Sequence, residues 1–399
     1  MASVATSSLR LTALTGGFRP FFLCAGLAAV FNMAVWLAIY FHPDAWPADA
    51  IAPIYWHAHE MMFGFVAAAI GGFLLTAVPG WTNRPPYAGA PLAMLVAVWL
   101  AGRIAMALSG NLPPMVVAIA DLAFFPALVL ALAPPLLRAG KWRNLPFVPL
   151  LTILFLADLL FHLGNLGYIA DGQMIGLGLA LDIVAILIVV IGGRIIPLFT
   201  RNGLMRQGVV IAIVPRPWLD IAAVVSIVAV LAADLATPQS SANGVIALAA
   251  AAIQGARLAQ WHGHRTGRDP LIWVLHAGYA WLVLALLLKG IWLTVGAAFA
   301  AKWLHAFTAG AFATMILAVM TRASLGHTGR PLKAPRPIAV AYLLVMLAAL
   351  MRVFGGALFP GFYDDIILAA GAIWILAFGL FVLVYAPILL GPRIDGKAG

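Results

Sequence analysis

The chain has 399 residues, of which 64% are hydrophobic and only 9% charged, and its formal net charge is +10. A mean hydropathy of +1.05 excludes a soluble globular protein. The positive charge does not point to nucleic acid: the cations are scattered through short loops, a pattern that in a membrane protein reports orientation.

Apolar runs recur from end to end, each near the ~20 residues that a spanning helix needs. Strands of a closed barrel would alternate polar and apolar residues, and runs such as LLTILFLADLLF do not, so helices are expected. In chain order the spans fall near 20–41, 56–78, 88–109, 113–133, 146–169, 174–199, 217–236, 242–262, 270–290, 302–322, 336–356 and 365–389. The fold class is therefore an all-α polytopic membrane protein of twelve transmembrane helices, with 1–399 as a single integral membrane domain. The stretch KGIWLTVGAAFAAKW after the ninth span reads as loop, interfacial helix or an extension of that span. No small-residue cleavage site follows a short apolar core, so the first span is expected to be retained rather than removed as a signal. Cys24 is the only cysteine, which excludes an intramolecular disulfide and a cysteine-based metal site.

Lysine and arginine set the direction. The even-numbered gaps hold Arg84; Arg138, Lys141 and Arg143; Arg201, Arg206 and Arg216; Arg257, Arg265 and Arg268; and Arg322, Arg330, Lys333 and Arg336. The ends of the chain add Arg10, Arg19, Arg393 and Lys397, whereas the odd-numbered gaps hold Asp44, Asp49, Asp171, Asp234, Asp364 and Asp365. Of 23 basic residues, 18 lie on one side, which by the positive-inside rule is cytoplasmic. Both termini are then expected inside. Three exits are also alike: GGFLLTAVPGWTNRP after the second span, GGRIIPLFTRNG after the sixth and GHTGRP after the tenth. Their four-helix spacing suggests three four-helix units.

This topology sorts the histidines by depth, at about 1.5 Å per residue. WHAHEMMFG (56–64) starts the second span with His57, His59 and the sole glutamate, Glu60. His305 enters with the tenth span, and His162 lies late in the fifth, with Asp158 one turn below it. All of these belong to the outer half. Ionisable groups inside spans mark ion paths, cofactors or proton relays, and imidazole is a common metal and haem ligand. The candidate cofactor-binding residues are therefore His57, His59, His162 and His305, with Glu60 and Asp158 as candidate proton-relay groups. His57 and His59 stand roughly 200° apart on a helix, so one is expected to face a haem or metal and the other a second centre. Arg103 and Arg352, in the outer halves of their spans, suit propionates or other anions, and Asp121 suits Arg103 equally well. Lys289 and Lys302 suit snorkelling to the interface. On the cytoplasmic side, His276 and His264 are candidates for a second haem or copper site. Met61 and Met62 read as soft copper ligands or as packing. There is no phosphate-binding loop, nucleophile elbow or zinc-protease helix motif.

FRPFF (18–22), WHAHEMMFGF (56–65), GGRIIPLFTRNG (192–203) and HAFTAGAFATMILAVMTRASLGHTGRPL (305–332) resemble the NnrS family over nearly the whole chain. The resemblance implies a twelve-span bacterial inner-membrane protein with haem and copper, acting in denitrification and in defence against nitric oxide and nitrosative stress. A looser likeness is to haem-copper oxidases and nitric oxide reductases, which have a twelve-helix core in three arcs. Here the histidine pair lies on the second helix and the sixth has none, which argues against an oxidase.

The leading expectation is thus a haem-binding, and by the same resemblance copper-binding, membrane protein that binds or reduces nitric oxide, with electrons from quinol or another donor. If it is an enzyme, it is an oxidoreductase. The alternatives are a twelve-helix transporter or metal exporter, and a haem sensor or assembly factor without turnover.

Overall fold

With no water in the hydrocarbon to satisfy N–H and C=O groups, each apolar run must close its own hydrogen bonds. The computed structural model describes residues 12–47 and 49–396; Arg10 and Lys397, counted above on the basic side, lie outside the described residues. Among those described there is no β-strand, and there are twelve helices of membrane length. They are α1 (Phe18–Phe41), α2 (Pro53–Thr82), α3 (Ala90–Ala107), α4 (Pro114–Ala139), α5 (Trp142–Asn165), α6 (Gly172–Arg206), α7 (Pro217–Ala236), α8 (Ser241–Ala259), α9 (Pro270–Val295), α10 (Ala298–His327), α11 (Arg336–Leu358) and α12 (Pro360–Leu390).

Local chemistry explains the ends. Proline opens α2, α7 and α9, where a missing N–H costs nothing. The Asp269 carboxylate accepts from the Leu271 N–H at 3.1 Å, and the Ser240 hydroxyl accepts from the Asn243 N–H at 3.1 Å. Asn83, Gly140 and Gly296 stop α2, α4 and α9 in the left-handed region. Part of the ambiguous stretch after the ninth span extends that helix to Val295.

The described chain divides into two compact units. One comprises the described residues of 1–180, 323–331 and 378–399; the other comprises Leu181–Arg322 and Leu332–Ala377. In the first, Arg19 is buried and donates to the carbonyls of Leu389 at 2.9 Å and Gly391 at 2.7 Å. The start of α6 presses against α5. A Cβ on Gly176 would stand 2.3 Å from the Ala157 carbonyl oxygen, so only glycine allows this crossing. In the second unit, Arg257 donates to Asp220 and to the Val189 carbonyl, both at 2.9 Å. Lys289 pairs with Asp234, whose other oxygen accepts from Asn243 at 2.7 Å.

Three helices widen locally into π turns: Glu60–Val66 in α2, Ala306–Phe312 in α10 and Met351–Gly355 in α11. Such turns leave carbonyls short of their usual partners, and they recur at functional sites. In α2 neighbouring helices supply donors. Asn32 donates to the Glu60 carbonyl at 3.0 Å, and the Trp99 indole donates to that of Gly64 at 3.2 Å.

The first two π turns are copies of one local design. A shift of 246 residues places His59 on His305, Gly64 on Gly310, Thr82 on Thr328 and Arg84-Pro85 on Arg330-Pro331. It also aligns the two seven-residue π segments and the left-handed Asn83 and Gly329. Gly310 is needed sterically: a Cβ there would lie 2.5 Å from the Trp281 ring. Gly310→Ala is expected to cost about 1–3 kcal/mol by overpacking, seen as a lower thermal unfolding midpoint in detergent. An unchanged midpoint would mean that the Trp281 ring yields freely.

Candidate metal centre

Four helices of the first unit each bring an ionisable side chain to one buried point. They are α2 with His59 and Glu60, α3 with Arg103, α4 with Asp121, and α5 with Asp158 and His162. His59, Glu60, Asp121, Asp158 and His162 are each at most 2% exposed. Asp158 and His162 are one helical turn apart, so a single face of α5 presents both. His59 reaches the same point because α2 already starts at Pro53, and this puts His57 on a different face. There His57 stacks on Trp36 with ring centres 4.4 Å apart.

The donor atoms converge closely. His59 Nε2 lies 2.9 Å from Asp121 Oδ2 and 3.0 Å from Asp158 Oδ1. His162 Nε2 lies 2.9 Å from the same Asp121 Oδ2 and 3.7 Å from Asp158 Oδ1. One ligand atom from each of these four residues falls within 4.8 Å of all the others. For an ion with bonds of about 2.0–2.2 Å, tetrahedral ligands would be about 3.4 Å apart. The observed separations bracket that value, and the shorter ones are also hydrogen-bond lengths.

The surrounding groups orient these donors. Glu60 Oε1 lies 3.2 Å from His59 Nδ1, the acceptor position that fixes the ring tautomer of a ligating histidine. Arg103 spans the back of the site, pairing with Glu60 through one nitrogen and with Asp121 through another. Phe161 and Phe63 close on the His59 ring, with centres at 4.4 and 4.8 Å. Three carboxylates face a single guanidinium, so with neutral histidines the cluster carries a surplus of two negative charges. Buried charge of that size requires a cation or protons.

The family model described as NnrS protein matches residues 12–393. The chain belongs to the NnrS family. No curated protein matches it. NnrS membership carries a family-level association with haem, copper and the nitric oxide response, so both groups can be tested against the geometry. A haem needs its axial nitrogen to face a plane open to the whole macrocycle. The Nε2 atoms of His59 and His162 instead meet at one carboxylate oxygen 2.9 Å from each. Haem does not fit between them. A bare ion does, and two imidazoles with two carboxylates suit divalent copper, iron, zinc or manganese.

Of the residues singled out in the sequence, His59, His162, Glu60, Asp158 and Arg103 come together in this NnrS chain. Asp121, read there only as a partner for Arg103, is the hub. His57 lies elsewhere on α2. In the second unit, Arg352 faces the Tyr363 hydroxyl at 3.5 Å. His276 Nε2 lies 2.8 Å from the Thr200 hydroxyl, and His264 is exposed, its ring centre 5.9 Å from that of His262. His305 is half-buried at the entrance to α10. Asp182, buried in α6 beside Asp234, was missed. Its signal was an isolated acid inside a long apolar run.

Proposed function

We propose that this chain is an inner-membrane metalloprotein of the nitric oxide response with both termini in the cytoplasm. In this reading it holds one divalent transition-metal ion on His59, Asp121, Asp158 and His162, and it binds or reduces nitric oxide there. The observation that carries the metal site is the convergence of two imidazole nitrogens and two carboxylate oxygens within 4.8 Å. Family membership supports the ligand.

A bound ion would supply a coordination position for the gas and, if redox-active, an electron. The chain's own residues do the rest. Arg103 holds the Glu60 and Asp121 carboxylates in place, and Glu60 keeps a proton on His59 Nδ1, so that Nε2 can present its lone pair to the centre. Reduction of two nitric oxide molecules to nitrous oxide and water consumes two electrons and two protons. Quinol or another donor would supply the electrons. In this reading protons reach the centre by way of Glu60, the carboxylate of the cluster that is not itself a ligand. Nitric oxide dissolves in hydrocarbon, so a site buried among spans needs no polar entry channel.

A haem, in this reading, sits elsewhere and takes His305 as ligand. The register that His305 shares with His59, each followed by a π turn, favours it. The eight-helix spacing between the two copies also supports an arrangement in three four-helix units. The test is a reduced-minus-oxidised spectrum with iron and copper content, followed by anaerobic nitric oxide titration of the reduced protein. Wild type is expected to contain metal and to respond to the gas. His305→Ala should reshape any haem band, and His162→Ala should remove the non-haem ion's response. A colourless, metal-free preparation would overturn the proposal in favour of a transporter.

A further inference from the structure

The second unit brings two aspartates together at the end where α7 gives way to α8, in a cluster that the metal centre does not use. We propose that Asp182 and Asp234 hold one exchangeable proton between them, taken up from water through the exposed edge of Asp234.

Four helices supply the site: α6 with Asp182, α7 with Asp234, α8 with Asn243 and α9 with Lys289. Asp182 lies about 15 Å along α6 from its start at Gly172, and it is 5% exposed. Its carboxyl is within hydrogen-bond reach of that of Asp234, and among the described residues no other side chain hydrogen-bonds to it. Lys289, itself 1% exposed, pairs with Asp234 Oδ2 and lies over the Trp303 ring at 4.9 Å. Asp234 Oδ1 accepts from the Asn243 amide at 2.7 Å. Asp234 keeps 20% of its side chain exposed, so it is the link to water.

Two carboxylates in such contact repel each other unless one of them carries a hydrogen. A proton on either gives the pair the donor it lacks, so that one carboxyl donates to the other. The charge count agrees. Asp234 and Lys289 are the charged groups that act on Asp182, and two aspartates against one lysine leave a single surplus negative charge. One proton cancels it, whereas a divalent ion would overshoot beside an ammonium group. Leaving the charge uncancelled at this burial would be costly.

Asn243 marks where the proton arrives. It is fully buried, and its amide nitrogen donates to Asp234 and, at 3.2 Å, to the Pro238 carbonyl. Its Oδ1, however, has no donor, and a buried acceptor of that kind calls for one. When hydronium enters beside Asp234, one of its O–H bonds breaks and a new O–H bond forms on a carboxylate oxygen. The water left behind can donate to Asn243 Oδ1. Release reverses the step. In a topology with cytoplasmic termini this end of the unit is the outer face, so the proton exchanges with the outside.

The experiment records infrared spectra of the purified full chain in detergent, in H2O and in D2O. At about pH 7 an ordinary aspartate is ionised, so the shared proton is expected as a carboxylic-acid C=O band that shifts in D2O. D182N should remove one carboxyl equivalent of that band. D234N should do the same, because Lys289 then pairs with an ionised Asp182. K289M should keep the band to a pH about 1–3 units higher than wild type, since the cation that favours the ionised form is gone. A role in packing alone would not move that midpoint. If D182N does not fold, wild type against K289M decides the matter. The absence of an acid band in wild type would overturn the proposal, and is also the result expected if sodium took the proton's place. So would an undiminished band in either asparagine variant, or an unmoved midpoint in K289M.

Discussion

Asp121→Asn is expected to abolish metal binding, taking the purified protein from about one equivalent of divalent ion to a small fraction of it. Asp121 is the only residue whose carboxylate touches three partners of the cluster. Its Oδ2 meets the Nε2 atoms of both histidines, and its Oδ1 meets Arg103. Asparagine keeps the shape but removes a negative charge and offers an amide in place of a carboxylate ligand. Losing an outer-shell partner costs 10–100-fold in affinity, so losing this ligand should cost on the order of a hundredfold or more. Metal content by elemental analysis and direct titration both report it. His57→Ala, whose ring stacks on Trp36 away from the cluster, should keep its metal. Full metal content in Asp121→Asn would remove the centre as described.

How much of this could be read from the sequence depended on which physical quantity was asked for. Membrane depth was legible, because arginine and lysine sort by side and each residue advances a fixed distance along a helix. That is why His57, His59, His162 and His305 could be grouped with Glu60 and Asp158 before any coordinates, although only His59 and His162 of the four histidines belong to the cluster. Direction around the helix was only half legible: His57 and His59 had to face apart, but nothing in WHAHE said which one faces inward. Asp121 was visible as a buried acid, yet its choice between one cation and two histidines depends on where α4 packs. The π turns were not legible at all. They are a choice of hydrogen-bond register, stabilised in α2 by Asn32 and Trp99 from helices distant in sequence. The likeness between the exits of the second and tenth spans was noticed. Its extension back to His59 and His305 became clear only once matching π turns aligned the two stretches.

Arg103→Leu is expected to destabilise the protein by about 3–5 kcal/mol, because it strands two carboxylates inside the membrane domain. Glu60 and Asp121 are each 2% exposed, and among the described residues the guanidinium is the only basic side chain other than the histidines that pairs with them. The magnitude comes from the uncompensated charge rather than from the strength of either ion pair. A diagnostic follows from this origin. Adding Glu60→Gln to Arg103→Leu removes one stranded charge and should recover part of the loss, although Glu60→Gln alone removes a native contact. Removing the guanidinium also raises the surplus charge from two to three, so a divalent ion should stabilise the variant by more than it stabilises wild type, as linkage requires when an ion binds only the folded state. Thermal unfolding in detergent, with and without added ion, measures all three effects. Equal destabilisation in the single and double variants, with no extra rescue by metal, would show that Arg103 acts through packing, and the cluster's surplus charge would then have to be carried by protons alone.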